Sequence, residues 1–219
     1  YGRGARYFPD EEISWAVKYF LDAYHWHVRT TFDEQVDSEI ILESIAPHDC
    51  RVRAVLDGLG DLSGKRVLDA GCGKGRFSRL LIDTYSAADV WGVDLSERML
   101  AQLPPAMRGV RGSLLDLPFA DASFDAVFSV ETLEHCVNPA AAVRELCRVA
   151  KSGAPIVIID KNAACKGSLQ IEAWETWFTR AEIESWLASY CHRLTSELLA
   201  YPAHGTSDAL FIAWRGVKH

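Results

Sequence analysis

An α/β fold built on a mostly parallel sheet follows from three observations in this 219-residue sequence. From residue 61 onward, short apolar runs alternate with amphipathic ones, the pattern of repeated strand and helix units. The first apolar run opens into glycines at alternate positions, Gly71, Gly73 and Gly75. The next one, Val90-Trp91-Gly92-Val93, ends in Asp94, 21 residues beyond Gly73.

Taken in order, residues 10–26 read as an amphipathic helix with Ile13, Val17, Phe20, Leu21 and Tyr24 on one face. Trp15, Tyr19 and Trp26 make a second aromatic stripe, suited to packing or to a lid over a site. The acid-rich run 33–39 holds no base and reads as a solvated face or a helix start. Pro47 breaks the chain, and a helix over 49–59 ends at Gly60. Strands are expected near 66–70, 90–94, 108–112, 124–130 and 155–160, with helices between them. Asn138 and Pro139 mark a helix start by cap and first-turn proline. Thr179 and Glu182 form a capping box before another helix. Runs at 193–201 and 209–215 read as two strands joined by a turn at 202–207. The expected organisation is an N-terminal helical cap over 1–60 and the sheet domain over 61–219.

Glycines at 71, 73 and 75 let the backbone turn tightly and leave room for a ligand against the main chain. The dinucleotide fingerprint places its third glycine three residues after the second, whereas here the interval is two. The Asp69-x-Gly71-x-Gly73-x-Gly75 loop resembles motif I of the class I S-adenosylmethionine (SAM) methyltransferases. Four later segments are similar to that family in the same order. They are Gly112 to Phe119, Ser123 to Ser129, the Glu131-Thr132-Leu133-Glu134-His135 stretch with Asn138-Pro139, and Glu145 to Gly153. The likeness is to the broad UbiE/UbiG-like group of small-molecule enzymes. It implies a Rossmann-like seven-stranded sheet, mostly parallel, with helices on both faces and an antiparallel last strand.

The resemblance further implies SAM as cofactor and a methyl transfer to a small molecule. Asp69, Gly71, Cys72, Gly73, Asp94, Leu95, Met99, Ser113, Leu114, Val130 and Glu131 would then surround the cofactor. Asp94, at a strand end, has the geometry to accept both ribose hydroxyls. Ser113 stands where the family usually has an acid for the adenine amino group. His135 is the leading candidate base, because imidazole titrates near neutral pH, and His204 is the second. Glu131, Glu134 and His135 would share a face if that stretch were helical, which leaves a magnesium-dependent O-methyltransferase as an alternative. A non-catalytic SAM-binding protein is the other alternative, since fold alone does not prove activity. The aromatic segments 1–45 and 161–178 lie outside every motif and are where substrate choice should reside.

Composition narrows the partners. Net charge is −7, and residues 1–60 hold 11 acids against 6 bases, a balance that disfavours nucleic acid. No run of 18 apolar residues is present, so no membrane span is expected. No apolar leader opens the sequence. The six cysteines form no C-x-x-C pair, which argues against a zinc site and fits a reducing, cytoplasmic setting.

Overall fold

Alternating side chains along the strands split the apolar residues between two faces of one sheet. The computed structural model describes residues 15–38, 41–85, 88–167, 172, 174–200 and 209–219. Among these, the strands are β1 (Arg66–Ala70), β2 (Asp89–Asp94), β3 (Arg108–Arg111), β4 (Ala126–Val130), β5 (Pro155–Lys161), β6 (Cys191–Leu199) and β7 (Phe211–Lys218). They form a seven-stranded sheet in the order β3-β2-β1-β4-β5-β7-β6. Neighbours from β3 to β5 pair in parallel, and β7 runs antiparallel to both β5 and β6. The helices are α1 (Trp15–Gln35), α2 (Cys50–Leu59), α3 (Arg76–Thr84), α4 (Glu97–Leu100), α5 (Pro139–Val149) and α6 (Arg180–Ala188).

Period 2 in the strands assigns each side chain to a layer. Leu68, Val127, Ile156, Ile158 and Trp214 face α5 and α6, whose Val143, Leu146, Ile183 and Leu187 cover them. Val67, Phe128, Val157, Ile159 and Phe211 face the other way, onto Val52, Val55, Phe77 and Leu81 of α2 and α3. Each such fully buried side chain contributes about 1.5–3 kcal/mol relative to exposure. The expected helix starts hold. Asn138 accepts from the Ala141 N–H at 3.1 Å, and Thr179 and Glu182 form the reciprocal capping box. The late Glu145 to Gly153 motif is a clamp. Glu145 accepts the Leu117 N–H at 2.9 Å, while Arg148 donates to the carbonyls of Leu117 and Phe119. Two salt-linked side chains of α5 thereby hold the loop that follows β3.

The N-terminal region departs from its sequence pattern in two ways. α1 continues to Gln35, so the acid-rich run is its last turn and not a separate helix start. Ser96 Oγ donates to the Asp33 carboxylate, and Arg98 reaches the Asp33 carbonyl and Asp37, which neutralises that run against α4. The buried line is Leu21, Val28 and, beyond the helix, Val36, whereas Phe20 is 65% exposed. Spacings of seven and eight residues thus select the face that packs. The second departure is at the boundary drawn at residue 60. α2 lies before it and nevertheless packs on the sheet through Val52, Val55 and Leu59. Residues 10–14, Ile13 among them, and the turn 202–207 with His204 lie outside the described residues.

Candidate active site

Parallel strands deliver their C-terminal ends to one edge of the sheet, and the loops there enclose a cavity of about 720 Å³. Every residue expected to surround a cofactor, from Asp69 to Glu131, lines this cavity, and so does His135. At its base the 71–75 loop leaves β1 by a tight turn. Gly71 has φ +80°, and a Cβ there would lie 2.1 Å from Thr132 Cγ2. Only glycine fits. Gly71 and Cys72 both donate backbone N–H bonds to the Val93 carbonyl, which ties the loop to the end of β2.

Asp94 is oriented by two main-chain donors, Gly73 N–H at 2.8 Å and Ser96 N–H at 2.9 Å, one on each carboxylate oxygen. Burial pushes its pKa above the usual carboxylate range, and those N–H bonds oppose the shift. Asp69 lies deeper, 3% exposed, with Ser78 Oγ donating to it at 2.7 Å. Burial raises its pKa to about 7. Ser113 Oγ accepts from the Leu115 N–H at 3.2 Å, so this hydroxyl also stiffens its own loop.

Glu131 and His135 part company. The stretch is not α-helical: Glu131 follows β4 with φ +52°, and only Leu133–His135 form a 3₁₀ turn. Glu131 receives guanidinium bonds from Arg51 of α2 and from Arg76, the latter at 2.7 Å. Burial alone would raise its pKa, but Arg76, Arg51 and Lys161 outweigh it and hold Glu131 below the ordinary value. The expected Glu131, Glu134 and His135 ligand trio is therefore corrected. The groups that converge, with ligand atoms within 4.8 Å, are Glu134, His135 and Glu175.

Lys161, at the end of β5, already stands among those groups. Its Nζ lies 3.0 Å from Glu134 Oε1 and 2.7 Å from Glu175 Oε2. Burial alone would lower the lysine pKa, but the two carboxylates raise it, so the ammonium persists. Asp160, fully buried next to it, is pushed well above the usual range by burial and then by the Glu134 charge and hydrogen bond. His135 Nε2 lies 3.3 Å from Glu134 Oε1, and its Nδ1 is buried without a hydrogen-bond partner.

The wall opposite comes from α1 and from Glu172, Trp174 and Glu175. Phe32 meets the His135 ring edge to face with centroids 5.0 Å apart, and His27 meets Trp174 at 4.8 Å. Gln35 reaches Glu172 at 3.4 Å. Sequence reasoning missed Arg51, Arg76, Lys161 and Glu175. Lys161 carried one usable signal, its place at the C-terminal end of a parallel strand. Arg51 carried none, because a helix arginine reads as solvated until its partner 80 residues away is known.

Comparison with known proteins agrees with this architecture. Residues 68–158 match a family described as a methyltransferase domain. The chain is 33% identical over 129 residues to the 2-methyl-6-phytyl-1,4-hydroquinone methyltransferase of Synechocystis sp., covering 56% of this chain and 40% of that protein. It is 32% identical over 155 residues to the malonyl-[acyl-carrier protein] O-methyltransferase of Serratia marcescens, covering 64% and 59%. The chain thus spans about half the length of these curated relatives. Among solved structures, a Haloferax volcanii methyltransferase in complex with its Trm112 activator superposes with a TM-score of 0.73 at 21% identity, covering 85% of this chain and 97% of that one. A geranyl diphosphate C-methyltransferase from Streptomyces coelicolor A3(2) gives 0.67 at 16% identity, covering 90% and 98%. Residues 68–158, which match that methyltransferase-domain family, run through the strands whose ends build the cavity, and the likeness in fold extends over most of the chain.

Proposed function

We propose that this chain transfers a methyl group from SAM to an oxygen or nitrogen of a small-molecule acceptor, with His135 as the base. The observation that carries the reading is the single cavity running from Gly73 and Asp94 at one end to His135 and Trp174 at the other. The residues fit the cofactor. Both Asp94 oxygens are aimed by main-chain donors, each keeps a free lone pair for a ribose hydroxyl, and the Gly73 backbone has open space beyond it. SAM supplies a methyl carbon already activated by a positive sulfur.

The chain's own residues then align, dry and deprotonate the acceptor. Phe32, Trp174 and Leu42 border the cavity and exclude water from it. Glu134 holds His135 through Nε2, which fixes the ring's tautomer. With Nε2 held by Glu134, Nδ1 is the nitrogen left to take a proton, and it has no hydrogen bond to lose. A magnesium ion does not fit the donor set, because the Lys161 ammonium already supplies the positive charge between Glu134 and Glu175.

Calorimetry with SAM and S-adenosylhomocysteine tests the cofactor assignment, and tight NAD binding in their place would overturn it. His135→Ala should lower turnover by roughly 10²–10⁴-fold while SAM affinity barely changes. Turnover within a few-fold of the parent would reassign His135 to loop structure. EDTA should leave the rate unchanged.

A further inference from the structure

The acceptor end of the cavity has an unbalanced charge. Its described carboxylates are Glu134, Glu172 and Glu175, and its one described permanent cation is Lys161. That ammonium already contacts Glu134 and Glu175 and is 12% exposed, so it has little left to offer a ligand. His25, also on this wall, is kept neutral by burial, which lowers its pKa. Lys74 and Arg76 line the cavity too, but both belong to the glycine-loop end, where the Arg76 guanidinium is bound to Glu131.

Two things follow from elementary electrostatics. An anionic acceptor would enter a wall already one to two charges negative, and a like charge in a partly dry site costs several kcal/mol. A cation would instead be drawn to this carboxylate-rich wall, where Glu172 is exposed and Glu134 Oε2 is buried without a hydrogen-bond partner. The shape of the wall agrees with the charge. Phe32, His25, His135 and Trp174 present flat rings, the surface that receives both planar groups and ammonium ions.

Resting on the methyltransferase reading, we propose that the acceptor is a cationic amine carried on a planar ring, recognised by Glu172, Glu175 and the surrounding rings. The chemistry of the site is consistent with this class. A protonated amine has no lone pair to donate, so it must first surrender a proton. His135, backed by Glu134, stands where it can receive one.

The test uses three matched probes, 2-phenylethylamine, 2-phenylethanol and 3-phenylpropionate, titrated into the intact chain saturated with S-adenosylhomocysteine. The amine should bind at least ~10-fold more tightly than the alcohol, with the carboxylate weakest. Glu172→Gln combined with Glu175→Gln should erase that preference while leaving S-adenosylhomocysteine affinity within about twofold. Glu172→Gln alone, an exposed change that leaves the Lys161 cluster intact, should lower it in part and guards against a folding defect in the double variant. An amine that binds no better than the alcohol, including failure of all three to bind, overturns the proposal. An amine preference that survives both glutamine changes also overturns it. Failure of S-adenosylhomocysteine itself to bind would strike at the methyltransferase reading instead, so the two failures are separable.

Discussion

The two ends of the cavity are built by different means. The end we assign to the cofactor comes from residues 69–131, mostly at the ends of parallel strands and in the loops that follow them, with Met99 from α4 and Arg76 from α3. Its glycine loop and Asp94 are held by the main chain, the Gly73 and Ser96 N–H groups donating to Asp94 and the Val93 carbonyl accepting from Gly71 and Cys72, while side chains hold Asp69 and Glu131. The acceptor end gathers α1, the 3₁₀ turn after β4, the end of β5 and residues 172, 174 and 175. Its groups are held by one another's side chains, as when Lys161 bridges Glu134 and Glu175. Backbone-held geometry tolerates little change. Side-chain networks can be re-specified one residue at a time, which suits a fold that keeps one cofactor and varies its acceptors.

The largest expected effect strikes the rigid end. Gly71→Val combines a positive φ with a Cβ clash against Thr132. It should cost at least about 4 kcal/mol in chemical denaturation, or abolish S-adenosylhomocysteine binding in whatever folds. A stable variant that binds normally would show that the loop is not rigid.

Asp69 gives a pH-dependent contrast at the same end. Its folded pKa of about 7 is raised, so the folded chain holds a proton that the unfolded chain has released. Stability should therefore fall as pH rises from about 4 to 7, by roughly 4 kcal/mol for this group. Asp69→Asn should remove that slope and melt higher than the parent at pH 8. A parallel pair of melting curves across this range would rule it out.

Asp94→Ala should weaken SAM binding by roughly 1–3 kcal/mol through two lost charge-assisted hydrogen bonds. Because the two ends are separate, the residual affinity should be insensitive to His135→Ala in the same chain. Strong non-additivity in that double-mutant cycle would show that the ends communicate.

The smallest effect belongs to the link between them. Arg98 pairs with Asp37 at the surface, 54% and 72% exposed, where ion pairs contribute little. Arg98→Ala should change stability by less than ~1 kcal/mol. Any effect should concern how α1 closes over the acceptor end, read as a raised KM for acceptor with the SAM KM unchanged.

Local rules made the glycine-loop end legible before any fold was known. Alternating strands and helices, the glycine spacing, Asp94 after the second strand and the Asn138-Pro139 start all depend on neighbours a few residues apart. The same rules failed on α1. Its aromatic stripes allow more than one buried face, and the choice of Leu21 and Val28 depends on the sheet and α4 it meets.

What the sequence determined by itself was therefore the sheet, its glycine loop and the acid at the second strand end, because backbone conformation and hydrophobic period are short-range properties. Only the tertiary structure decided how the charges were shared. Glu131 went to guanidiniums 80 and 55 residues away, and Glu134 went to a lysine 27 residues away. Two acids and a histidine read close together along the chain look like one cluster. Their φ angles and the strand ends facing them separate Glu131 from the rest, and Coulomb attraction at 3 Å outweighs proximity in sequence.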